Sequence, residues 1–310
     1  MKNNYSLKTK FWDWNGCRIA WDVSGEENLI PIILIHGFGA NRFHWRNNIN
    51  FFTQKGFAVY SLDLLGFGES TQPSLKNIGP IDNAVWCDQI TDFINDIVRP
   101  KNSGKIILIG NSLGSLVALT CAVSIPEEIS AIIASPLPDK FNFKKKLVLN
   151  RTSQIKKIFL KNLLIITPIE IILFLINKFG VINLALRAAY HKKNNIDKEL
   201  IQMIAKPALR RNAAKALRAM SIGMSTRNDK LKAPYLLYLL SKIGGIPMLL
   251  IWGEKDNFIP LFLGKKIAKF YSSVELSVVP NSGHCVHDED HFIFNKISYH
   301  WIKNLKTFKK

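Results

Sequence analysis

Acidic residues are scarce in this chain. Its 310 residues hold 23 Asp and Glu against 42 Lys and Arg, for a net charge of +19. Cysteine is scarce too: Cys17, Cys87, Cys121 and Cys285 lie far apart and form no C-x-x-C pair. That spacing argues against a zinc site and a disulfide framework, and fits a reducing compartment. No apolar run spans a bilayer comfortably; the most hydrophobic window, Asn162 to Asn177, is short and is interrupted by Pro168 and Glu170. The first ten residues carry no apolar core or cleavage site of a secretory signal, so the expected location is cytoplasmic, with peripheral membrane contact left open. With 47% hydrophobic and 21% charged residues, the composition is that of a globular chain, long enough for one large core with an inserted subdomain.

What is present is organised around Lys105 to Leu119. A β-branched and aliphatic run, Ile106 to Ile109, stops at Gly110, and Ser115 to Ala122 reads as a helix of small and apolar residues. Between them Gly110-Asn111-Ser112-Leu113-Gly114 satisfies G-x-S-x-G. Such an elbow holds its serine in a strained conformation above the sheet edge, and the helix start behind it favours developing negative charge. An idle serine in a tight turn is the plain alternative to a Ser112 nucleophile.

Other segments repeat the strand-then-turn pattern. Phe11 to Val23 reads as a hairpin turning at Asn15-Gly16, and Pro31 to Ile35 as a strand buried on both faces, ending in His36-Gly37-Phe38-Gly39. Acyl transfer needs two backbone amides aimed at the oxyanion. Leu113, directly after the serine, supplies one candidate and Phe38 the other; the alternative is a simple βα turn with His36 packed in the core. Asn41 to Gln54 reads as a helix, Phe57 to Asp63 as a strand, and Asp63 as a structural acceptor fixing the loop to Ser70. Ala84 to Val98 has helical spacing, Ile129 to Ala134 is a further strand, and Ile246 to Trp252 and Val274 to Val279 are the last two, separated by a helix over 261 to 271. A closing helix runs to about Leu305. Strand and helix alternate, which implies a mostly parallel sheet covered on both faces.

A serine alcohol needs a base, and the base needs a carboxylate to hold its tautomer. Ser112, Asp256 and His284 each follow a separate strand, and parallel strands bring such ends to one edge. Asp139 rivals Asp256 as the acid; His287 rivals His284 as the base. His284, His287 and Asp288 lack the second ligand cluster of a metal site.

From Lys140 to about Met224 no β-like run occurs. Residues 140 to 232 hold 21 Lys and Arg against four acids, a local charge of +17, while the remaining 217 residues carry only +2. The expected organisation is therefore a core of 1–139 and 233–310 with a helical cap at 140–232. Within the cap, 162 to 177 is expected to act as a lid helix pair over an apolar cavity. The charge favours an anionic membrane surface, unless it reflects only a lysine-rich composition; with no aromatic-basic interleaving, no nucleic acid partner is expected.

As a set, His36-Gly-Phe-Gly39, Asp63 to Ser70, Gly110 to Gly114, Trp252 to Asp256 and Gly283-His284 resemble the α/β-hydrolase superfamily, over about residues 10 to 135 and 233 to 305. The resemblance implies an α/β fold with an eight-stranded sheet and a helical cap inserted after the sixth strand. Gly110 to Gly114 together with Gly283-His-Cys-Val-His-Asp-Glu289 is also similar to a plastid and cyanobacterial group that includes pheophytinase and chlorophyll dephytylase, which cleave the phytyl ester of chlorophyll-type pigments. Serine at the elbow, where haloalkane dehalogenases and epoxide hydrolases of similar build carry aspartate, argues against those chemistries. The expected function is a cofactor-independent serine hydrolase of a hydrophobic carboxylic ester, with Ser112, Asp256 and His284 as triad. A non-catalytic lipid or ligand binder, or a carbon-carbon bond hydrolase, stands as the alternative.

Overall fold

The computed structural model describes residues 9–139, 141 and 180–305. The expected lid at 162 to 177 lies outside the described residues. Eight strands form one sheet: β1 (Lys10–Trp14), β2 (Cys17–Ser24), β3 (Ile30–Ile35), β4 (Phe57–Leu62), β5 (Ile106–Asn111), β6 (Ile129–Ser135), β7 (Met248–Gly253) and β8 (Val274–Val279). Their spatial order is β1-β2-β4-β3-β5-β6-β7-β8. β1/β2 and β2/β4 pair antiparallel and every later pair is parallel. The first hairpin turns at Asn15 and Gly16, both at positive φ, as a two-residue turn matched to strand twist requires. Strands β3 to β7 are almost wholly buried because helices cover both faces, which explains their unalternated aliphatic sequences.

Among the described residues, the α-helices before β7 are α1 (Ile49–Gln54), α2 (Leu75–Ile78), α3 (Asn83–Phe93), α4 (Leu113–Ser124), α5 (Val181–Ala189), α6 (Lys198–Ala208), α7 (Ala213–Thr226) and α8 (Ala233–Ile243). After it come α9 (Leu261–Phe270), α10 (Val286–Glu289) and α11 (His291–Asn304). α4 is apolar all round and buried from Leu113 to Ala122, as befits a helix packed between sheet and neighbouring helices. Among the described residues, no helix is long and apolar enough to cross a membrane.

One expectation fails in detail. The helix anticipated over 41 to 54 is broken: a 3-10 turn spans Arg42–Trp45, and α1 begins only at Ile49. The 3-10 turn begins at an ion cluster around a buried guanidinium. The Arg42 guanidinium reaches Asp22 and Asp63 at 2.5 Å each and Glu69 at 2.6 Å, while its amide donates to Asp63 Oδ1 at 2.8 Å. Asp63 also accepts from the Glu69 amide at 2.7 Å, so it fixes the loop as expected. Burial pushes the Asp63 carboxyl up and Arg42 pulls it back.

Strand order reverses between β3 and β5, since β3 has β4 on one side and β5 on the other. At such a switch point the loops leaving the two strands diverge and open a crevice at the carboxyl edge. Those loops are His36 to Gly39 and the turn at Ser112.

Candidate active site

Ser112 sits at φ 50°, ψ −111°, a conformation that costs a non-glycine residue about 1–3 kcal/mol. The flanking glycines make the turn possible. A Cβ on Gly110 would stand 2.3 Å from the Gly114 backbone, and one on Gly114 would stand 2.1 Å from Ile35 O. Strand, helix and the neighbouring β3 loop therefore meet closer than any side chain permits. The Ser112 amide donates to Ser135 O at 3.1 Å, which anchors the turn to β6. Asn111 adds Nδ2 bonds to Ser135 O at 2.6 Å and His284 O at 3.5 Å, tying the serine turn to the histidine loop.

His284 follows β8 and Asp256 follows β7, on adjacent strands. The ring Nδ1 lies 3.1 and 3.0 Å from the two Asp256 oxygens. A carboxylate only accepts, so Nδ1 carries the proton and Nε2 keeps its lone pair. Asp256 is itself held by the amides of Phe258 and Ile259 at 2.8 and 2.9 Å. The Phe258 ring packs against the imidazole, centroids 5.1 Å apart, and the His284 amide donates to Ala189 O at 2.7 Å.

Ser112 and His284 line one cavity of about 540 Å³. No hydrogen bond joins the serine hydroxyl to the ring among the described residues. The walls are apolar, from Phe38, Phe67, Ile182, Leu186, Leu217 and Met220 among others, and no Asp, Glu, Lys or Arg lines it among the described residues. Phe38 borders the same space, and neither its amide nor that of Leu113, directly after the serine, is hydrogen-bonded among the described residues. His36 does not reach into it. Its Nδ1–H donates to Gly37 O at 2.8 Å and its Nε2 accepts from the Leu64 amide at 3.0 Å, while burial lowers its pKa to about 4.

The rivals lie elsewhere. Asp139 accepts from the Ala233 amide at 2.9 Å and pairs with Arg227, clasping the two ends of the chain excursion between β6 and β7. His287 is fully buried against Trp45, centroids 4.3 Å apart. A polar chain runs from it: His287 Nε2–H donates to His44 Nδ1 at 3.3 Å, His44 Nε2–H to the Tyr190 hydroxyl at 2.8 Å, and that hydroxyl to Asp288 Oδ2 at 2.8 Å. Arg46 closes the chain on Asp288 Oδ1 at 3.0 Å. Burial lowers His44 to about 4 and His287 well below its usual value, so both rings are neutral. His287 Nδ1 has no hydrogen-bond partner among the described residues. Sequence reasoning missed Asn111, His44, Phe258 and Tyr190. Only Asn111 carried a signal, its place inside the glycine-flanked turn. Among the described residues no group of three His, Cys, Asp or Glu could hold a metal ion.

The model of the alpha/beta hydrolase family matches residues 32–295. The chain belongs to that family. Epoxide hydrolase 3 of Xenopus tropicalis is 24% identical to this family member over 300 residues, 93% of this chain and 76% of the relative. The pimeloyl-(acyl-carrier protein) methyl ester esterase of Wigglesworthia glossinidia brevipalpis is 26% identical over 293 residues, 91% of this chain and 97% of the relative. A thermophilic esterase from Thermogutta terrifontis, solved with malate bound, has the same fold at a TM-score of 0.71 with 19% identity, covering 97% of this chain and all of that one. Family membership places the chain, at the coarsest level, among hydrolases.

Proposed function

We propose that this hydrolase cleaves hydrophobic carboxylic esters through an acyl-enzyme on Ser112. The observation that carries the reading is that a strained serine and a histidine held by Asp256 line one apolar cavity. Nε2 of His284 takes the Ser112 proton as Oγ attacks the ester carbonyl, a rotation about the serine χ1 bringing hydroxyl and ring together. The tetrahedral oxyanion rests on the amides of Phe38 and Leu113. Its collapse breaks the ester C–O bond and returns the proton to the leaving alcohol. Water, deprotonated by the same nitrogen, then attacks the acyl-enzyme and releases the acid. Asp256 holds the ring tautomer and offsets its transient positive charge. No step needs a cofactor.

Both esterases and epoxide hydrolases occur among the relatives. Serine at position 112 favours the ester reading, because an epoxide hydrolase of this build opens its substrate with an aspartate. A cavity without charged walls suits a neutral acyl, prenyl or phytyl chain, which keeps phytyl esters of chlorophyll-type pigments and lipid esters as the substrate classes to try first. The helices between β6 and β7 act as the cap in this reading, at 140–232 over a core of 1–139 and 233–310. Turnover of p-nitrophenyl esters of increasing chain length, with labelling by a fluorophosphonate, tests the mechanism. Ser112→Ala should abolish labelling and lower turnover by about 10³-fold or more. Undiminished turnover by that variant would overturn it, and a folded wild-type protein that takes no label would favour a ligand-binding role.

A further inference from the structure

α6 and α7 form a helix pair with two unlike faces. Inward, Ile204, Pro207, Ala208, Ala213 and Leu217 line the cavity that holds Ser112. At the turn joining the two helices Leu209 is 66% exposed, and around it Lys206, Arg210, Arg211 and Lys215 are exposed as well. From Leu200 to Asn228 the sequence contains no acid. Arg210 Nη1 donates to Gly68 O and Ser70 O at 2.7 and 2.8 Å, and Gln72 Nε2 to Pro207 O at 2.9 Å, so the turn is fixed to the core. These carbonyls are neutral, and Arg210 has no ion pair among the described residues.

The charge is not even around the turn. On the flank facing a second cavity, of about 580 Å³, Lys206 and Arg210 share the lining with Glu69 and Glu199. Arg211 and Lys215 border neither cavity and have no ion pair among the described residues. An exposed leucine set among cations whose long stems can lie along an apolar surface is the pattern of a surface that meets anionic lipid. Nucleic acid would be drawn by the same charge, but would gain nothing from Leu209 or from an apolar cavity on the inner side of the same helices.

We propose that the α6–α7 turn docks on an anionic lipid surface, with Leu209 entering the headgroup boundary. The esters then reach Ser112 along the inner face of the same helix pair. The docking stands by itself; only the delivery rests on the ester hydrolase reading.

The test is flotation of the full-length protein with vesicles of phosphatidylcholine alone or mixed with phosphatidylglycerol. Binding should require the anionic lipid and be reversed by high salt. The double variant Arg211→Gln, Lys215→Gln should bind about thirtyfold more weakly, and Leu209→Ser roughly tenfold. Both should turn over a soluble short-chain p-nitrophenyl ester as the wild type does, since none of the three residues lines the Ser112 cavity. Equal flotation with neutral vesicles, or unchanged binding by the double variant, would overturn the proposal. So would loss of duplex RNA binding by that variant with vesicle binding intact. Turnover by Ser112→Ala reports on the chemistry independently, so failure of the docking and failure of the esterase reading are distinguishable.

Discussion

Two histidines three residues apart in the segment after β8 have opposite surroundings. His284 has both Asp256 oxygens at its Nδ1 and turns toward an open cavity. His287 faces Trp45 and another neutral histidine, and one of its nitrogens has no partner among the described residues. The residue type is the same. What separates the two rings is a carboxylate 28 positions away from His284, an arrangement set by the adjacent strands β7 and β8.

The sharpest way to break this contrast is to delete each ring. His284→Ala should lower kcat/KM for a p-nitrophenyl ester by about 10⁴-fold or more while leaving the urea midpoint nearly unchanged. His287→Ala should do the reverse, losing roughly 2 to 4 kcal/mol of stability to the cavity it leaves, with kcat within about threefold of wild type in the folded fraction. Similar activity losses in the two variants would dissolve the distinction. Next in size, Asp256→Asn should cost about 10³ to 10⁴-fold in kcat, because an amide can donate to Nδ1 and favour the wrong tautomer. A loss under tenfold would show that the carboxylate is dispensable.

A third effect belongs to the buried rings. His44 titrates near 6.5 in an unfolded chain and at about 4 when folded, so between those values the unfolded state binds more protons. Its contribution is complete above pH 6.5 and is lost as pH falls toward 4, by roughly 3 kcal/mol. Urea midpoints at pH 7 and pH 5 should therefore differ less in His44→Gln than in wild type. An identical difference in both proteins would place the acid sensitivity in other groups. The smallest expected change is at Phe258, whose ring packs on His284. Phe258→Ala should lower kcat about tenfold, with Phe258→Tyr restoring most of it, since loss of packing frees the imidazole to rotate away from Asp256. Unaltered kcat in the alanine variant would assign the ring to the cavity wall alone.

The parts of this arrangement that were legible in the sequence are those written in local chemistry. Ile106 to Gly114 spells strand, tight turn and helix in adjacent residues, and Asn15-Gly16 specifies a hairpin. Aliphatic runs without alternation gave a sheet covered on both faces. The hidden parts depend on distant partners. Nothing near Arg42 announces that its guanidinium is buried and paired with Asp22, Asp63 and Glu69, or that the helix read over 41 to 54 is interrupted after Trp45. Tyr190 meets Asp288 across 98 positions of chain, and a hydroxyl in a basic helical segment carries no mark of such a contact. Periodicity reports which face of an element is covered, but not by what.

The clasp at Asp139 has an evolutionary consequence. β6 and β7 lie side by side, Ile132 opposite Met248, although more than a hundred residues separate them along the chain. Because Asp139 fastens the departing strand to Arg227 and the Ala233 amide, the excursion leaves and rejoins the scaffold through one fixed doorway. Closure entropy rises only slowly with loop length, so segments can be gained, lost or exchanged beyond that doorway without disturbing the strand register beneath. Selection can thus retailor what the crevice admits while the chemistry below it stays put.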